Sequence, residues 1–115
     1  RPQKLSLNEF YLAAQEYEKG TDEFAEVFEI AVRMFPSDPI ANLNAANATM
    51  RRGDLTSAKR YLAKAGDSPE AVYARGALAI RQKDYDSARR YLNEAKSLGL
   101  EQAGITLEQL EKQKY

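Results

Sequence analysis

The sequence predicts an all-α chain: three helical hairpins and a closing helix, forming a single domain over residues 1–115. Three observations lead there. The stretch 54–65 repeats at 84–95, with seven of twelve paired residues identical at an offset of 30. A fainter copy lies upstream, where Phe28 and Ala31 precede Leu62 and Ala65 by 34. Within each strong copy the apolar residues recur at spacings of three and four, the signature of one helical stripe.

Taken in order, each element carries its own start signal. Ser6 with Glu9 forms a capping box, with Leu5 and Phe10 as its hydrophobic staple, and opens a helix over 6–17. A second helix spans 22–35. Asp38 and Ser68, each followed by proline, cap helices over 38–51 and 69–82. Asp54 and Asp84 stand at the N-caps of 55–65 and 85–98. Their stripes are Leu55, Ala58, Leu62, Ala65 and Tyr85, Ala88, Leu92, Ala95, where alanine admits a close neighbour. Thr106 with Gln109, flanked by Ile105 and Leu110, signals a last helix over 106–114.

Composition narrows the chemistry. Hydrophobic residues make up 43% and charged residues 30%, a balance suited to a soluble globular chain long enough to bury a core unaided. There is no Cys and no His, which removes thiol chemistry, Cys/His zinc sites and His-based acid–base schemes. No Gly-rich phosphate loop, EF-hand or metal spacing occurs, so no metal and no cofactor is expected. The many carboxylates do not argue for glycan hydrolysis, because such a fold implies no substrate cleft. An enzyme is not expected.

Net charge is zero but unevenly spread: −4 over residues 1–30, +5 over 31–96 and −1 over the rest. This asymmetry fits end-to-end packing or an asymmetric groove, and is no footprint for nucleic acid. No apolar run approaches membrane-spanning length and no signal peptide is visible. The chain opens Arg1-Pro2-Gln3 without Met, which reads as a fragment of a longer protein.

These residues resemble the tetratricopeptide repeat, a two-helix unit of 34 residues. In the first unit (6–36) Phe28, Ala31 and Pro36 match its pattern; in the second (38–66), Ala46, Gly53, Ala58, Leu62 and Ala65; in the third (68–98), Gly76, Tyr85, Ala88, Leu92 and Ala95. The family's Trp position holds Asn8, Asn42 and Val72, so the units are degenerate. The resemblance implies a right-handed α-α superhelix and a protein-interaction or scaffold module. The 30-residue offset departs from the pattern. Gly66-Asp67-Ser68 leaves almost no linker, which should shorten the adjacent helices by about one turn. More distantly, 42–50 and 65–76 are similar to the C-terminal tail of bacterial cell-envelope and fimbria-associated proteins, which implies a periplasmic or outer-membrane-associated setting.

By the same resemblance the first helix of each pair lines a concave groove. That places Glu9, Ala13, Glu16 and Tyr17 there from the first unit, and Asn44, Asn47, Met50 and Arg51 from the second. Tyr73, Ala77, Ile80 and Arg81 follow from the third. Asn amides can pair with a peptide backbone, Arg grips carboxylates in a fork, and Tyr offers rigid area. Glu9, Tyr17, Asn44, Asn47, Arg51, Tyr73 and Arg81 are the candidate partner-binding residues. An ordinary solvated face is the competing reading. Asn is a mediocre helix former, so Asn42, Asn44 and Asn47 need partners. Those are either an extended ligand or neighbouring hairpins and water.

Some family members clamp a terminal carboxylate, but the matching positions read Glu9, Glu70 and Ala74, so that clamp is absent. Tyr61 and Tyr91 read as packing between hairpins. Arg51-Arg52, Lys59-Arg60 and Arg89-Arg90 read as solvated faces with alkyl stems over Ala-rich surface in preference to the other reading, a basic ridge for an anionic partner. Two partner classes therefore compete. One is a protein or peptide in the groove; the other is a spacer or homo-oligomer of a larger envelope protein. In the latter, Leu7, Phe10, Tyr11 and Leu12 would dock an upstream domain or a second copy.

Overall fold

The computed structural model describes residues 6–113, and every regular element among them is a helix. The seven are α1 (Leu7–Ala14), α2 (Asp22–Met34), α3 (Pro39–Arg52), α4 (Leu55–Leu62), α5 (Pro69–Arg81), α6 (Tyr85–Ser97) and α7 (Glu101–Gln113). The chain divides between Ala65 and Gly66 into two compact units. The first holds α1 to α4, each packed on the next; in the second α6 packs on both α5 and α7.

The caps form where the sequence places them. Ser6 Oγ accepts from the Glu9 backbone N–H at 3.2 Å, and the Glu9 carboxylate accepts from the Ser6 N–H at 2.7 Å. Leu5, the other half of the expected staple, lies outside the described residues. Asp38, Asp54, Ser68 and Asp84 each accept first-turn N–H groups of α3 to α6. Thr21 caps α2 in the same way, accepting from Phe24 at 3.2 Å.

Three boundaries differ from expectation. α1 ends at Ala14 rather than 17, and Gln15 to Tyr17 continue it only as a tighter turn of i→i+3 bonds. Glu16 and Glu18 place negative charge at the negative end of the helix dipole, which opposes a further turn. The short connection after Ala65 does shorten a neighbour, but the loss falls wholly on α4. It has 8 residues where its sequence copy α6 has 13.

α7 is the largest correction. It begins at Glu101, not 106, so Thr106 and Gln109 sit inside a helix and form no start. α6 closes on Gly99, whose φ is 102°. The Gly99 N–H donates to Lys96 O at 3.0 Å and the Leu100 N–H to Ala95 O at 3.1 Å. That closure satisfies the end of α6 within two residues and frees the chain to start the next helix at once. Ile105 is 45% exposed, while Leu110 is buried. Lys114, the end of the predicted helix, lies outside the described residues.

The core of the first unit is aromatic on one side and small on the other. Phe10, Phe24 and Phe28 pack beside Ala25 and Ala31, with the Phe24 and Phe28 rings edge-to-face at 5.2 Å. α3 lies between α2 and α4 and buries Ala41, Ala45, Ala46 and Ala48. A helix covered from two sides needs small residues on both. In the second unit Val72, Ala79, Ala88, Leu92, Ala95, Ala103 and Leu110 form one cluster. Gly76 lets α5 and α6 approach: a Cβ there would meet Leu92 Cδ2 at 3.0 Å.

Candidate functional site

The candidate residues fall in both units, and each unit has its own depression. In the first, a hollow of about 140 Å³ opens between α1 and α3. Phe24 and Phe28 of α2 lie beneath it, with Ala48. Its sides are Tyr11, Gln15 and Lys19 from α1 and the turn after it, and Asn44, Asn47 and Arg51 from α3. The structure thus brings together three of the seven predicted residues. Their spacing along α3, three and four residues apart, aligns them on one helix face.

The turn after α1 completes this hollow. Gly20 has a φ of 91°, and a Cβ there would lie 3.7 Å from the Arg51 carbonyl oxygen. The turn therefore runs against the C-terminal end of α3, where unsatisfied carbonyls favour a cation such as Lys19. Lys19 and Arg51 make no ion pair among the described residues. Arg52, next in sequence, contrasts sharply: its guanidinium lies 2.9 Å from Asp54 and 3.7 Å from both Glu29 and Asp22. One arginine of the pair is structural and the other faces the hollow.

The remaining first-unit positions do not join it. The Glu9 carboxylate is occupied in the α1 capping box. Tyr17 lies beyond the end of α1 and is 47% exposed. Met50 is buried rather than groove-lining. Asn42 is fully buried and explains one of the three asparagines: its amide donates to Pro36 O at 3.1 Å and Asp38 O at 2.9 Å. It ties α3 back to the chain before it. Asn44 and Asn47 have no such bond among the described residues, and they flank the hollow.

In the second unit a depression of about 200 Å³ lies between α5 and α7, lined by Ile80, Thr106, Gln109, Leu110 and Gln113. Tyr73 is half-buried and does not line it; its hydroxyl shares a 2.8 Å hydrogen bond with that of Thr106. Arg81 is exposed and lines neither depression. A wider hollow of about 370 Å³ lies between α6 and α7, with Lys96, Glu101 and Glu108 among its lining. None of the predicted residues reaches it.

The recurring tyrosines are structural. Tyr61 is 9% exposed and its hydroxyl donates to Glu29 Oε2 at 2.8 Å. Burial, followed by that carboxylate, raises the phenol above its ordinary 10.0. Arg60 and Arg90 cover the Tyr61 and Tyr91 rings at 5.0 and 5.5 Å, so these basic residues extend over aromatic surface. Sequence reasoning missed Gln15 and Lys19. They lie at or past the frayed end of α1, where no periodic signal reports position.

Among the described residues no group of three or more His, Cys, Asp or Glu is placed to hold a metal ion. No helix among them is long and apolar enough to cross a membrane. No curated protein matches the chain, so the envelope resemblance has no relative behind it. The tetratricopeptide repeat family model matches residues 21–65 and again 55–102. Those matches run from the cap of α2 into the first turn of α7 and include both strong copies of the repeat. By this match, and by its helical hairpins with alanine, glycine and leucine at the expected packing positions, the chain belongs to the tetratricopeptide repeat family.

Proposed function

We propose that the chain is a protein-binding module that holds a peptide or partner domain against α1 and α3. Repeats of its family generally mediate protein–protein interaction. The observation that carries the proposal is the first-unit hollow. Asn44, Asn47 and Arg51 stand there beside Lys19 with no side-chain partners among the described residues, and Gln15, whose amide donates to Tyr11 O at 3.1 Å, lies opposite. Groups able to donate and accept, set over an aromatic base, suit a polypeptide better than a small rigid metabolite.

The test is capture on the immobilised chain, with an Asn47→Ala, Arg51→Glu variant beside it. Loss of a partner by a variant of unchanged helicity supports the reading. A partner retained equally by both overturns it. A second reading, a spacer or self-association unit of a larger envelope protein, is favoured by Tyr11 and Leu12, which are 50% and 57% exposed. Light scattering showing a monomer at all concentrations would remove self-association.

A further inference from the structure

We infer that the hollow between α1 and α3 selects an acidic internal segment of a partner protein. One apolar side chain of that segment sits over Phe24 and Phe28, and its flanking carboxylates meet Lys19 and Arg51. This rests on the protein-binding reading and specifies its ligand.

Three observations lead to it. The first is charge. The two ionic side chains lining the hollow, Lys19 and Arg51, are both cationic, and no carboxylate lines it. This occurs beside a stretch, residues 1–30, whose net charge is −4. Nearby carboxylates go elsewhere: Asp22, Glu29 and Asp54 converge on Arg52. The unit therefore offers two cations whose counter-charge has to come from outside the lining.

The second is size. A volume of about 140 Å³ matches one ring or branched aliphatic side chain, since a cavity of about 150 Å³ holds benzene. The third is the amides. Asn44 and Asn47 lie one turn apart on α3, with Gln15 opposite on the α1 side. Such groups pair with backbone N–H and C=O groups of a chain running past. A segment that continues on both sides uses all of them, whereas a chain end does not.

The probe is a display library of random octapeptides inserted within a carrier loop, so that no terminal carboxylate is presented. Selection on the whole chain is followed by fluorescence anisotropy with the selected sequences as acetylated, amidated peptides. The expected selection is enriched in Asp and Glu around a Leu, Phe or Tyr. Replacing those acids by Gln or Asn weakens binding about tenfold or more, equivalent to about 1.4 kcal/mol, and salt weakens it further. Lys19→Glu with Arg51→Glu reverses the preference toward basic peptides while helicity is kept. Peptides bound without regard to acidity, or unaffected by the charge reversal, overturn this inference but leave a protein-binding module. If no peptide is selected, and capture on the immobilised chain yields no partner sensitive to the α3 substitutions, both fall together.

Discussion

Lys83 is the one non-glycine residue with positive φ among those described, at 62°. Its N–H donates to Ile80 O at 2.9 Å and the next N–H, of Asp84, to Ala79 O at 2.8 Å. Thirty residues earlier Gly53, with φ of 93°, makes the matching bond to Met50 O at 3.0 Å, and the next N–H, of Asp54, donates to Thr49 O at 2.9 Å. The two hairpins use one turn, once with the residue it favours and once without. A left-handed conformation costs an L-residue about 1–2 kcal/mol. Glycine returns about 0.4–1 kcal/mol of that through its more disordered unfolded chain. Lys83→Gly should therefore stabilise the protein by about 0.5–1 kcal/mol. At Gly53 an added Cβ meets no atom within 4 Å, so Gly53→Ala isolates the backbone cost and should destabilise by about 1 kcal/mol. The assay is urea denaturation followed by far-ultraviolet circular dichroism, with the slope of each transition fitted freely. A neutral or destabilising Lys83→Gly, alongside a neutral Gly53→Ala, would refute the claim that backbone strain separates the two turns.

Other substitutions probe the packing and the caps. Gly76→Ala forces a methyl to 3.0 Å from Leu92 Cδ2 and 3.1 Å from its Cγ. Leu92 is wholly buried, so overpacking should exceed the helix-propensity gain and cost about 1–2 kcal/mol in the same denaturation assay. Tyr61→Phe removes the hydrogen bond to Glu29 and should cost about 1–2 kcal/mol, whereas Tyr91→Phe should be near neutral. Asp54 and Asp84 are held below the ordinary 3.8, chiefly by the Ser57 and Ser87 side chains and then their backbone N–H groups. A depressed folded-state pKa stabilises above 3.8 and loses that contribution as pH falls through the lower folded value. Denaturation midpoints should thus drop as the pH falls below 3.8. The drop should shrink in an Asp54→Asn, Asp84→Asn variant, because Asn keeps the cap without titrating.

The hairpins were legible because their signals are local. Asp38-Pro39 and Ser68-Pro69 mark starts without reference to anything distant, and Ala58 with Ala88 reports a face that must admit a neighbour. α7 was misplaced because Thr106 and Gln109 imitate a local start. What decides the matter is the closure at Gly99 together with the packing of Ala103 and the bond of Thr106 to Tyr73. The hollow was half legible. Asn44, Asn47 and Arg51 come from the repeat resemblance, and their spacing sets all three on one face of a single helix. Lys19 depends on where the chain turns after α1 has frayed, and Met50 on how deeply α3 is covered from both sides. Neither depends on spacing along one helix. Arg51 and Arg52 look alike in sequence, and only the convergence of Asp22, Glu29 and Asp54 separates their roles.

The early start of α7 constrains how such a chain can lengthen. α7 follows α6 after three residues, packs along it, buries Ala103 and Leu110, and bonds to α5 through Tyr73. A duplicated hairpin inserted after Gly99 would displace that helix and uncover apolar surface. One inserted as a whole repeat ahead of α5 leaves the α5–α6–α7 cluster intact. Growth by duplication is therefore polarised around this cluster: a unit added ahead of α5 spares it, and one added after Gly99 breaks it.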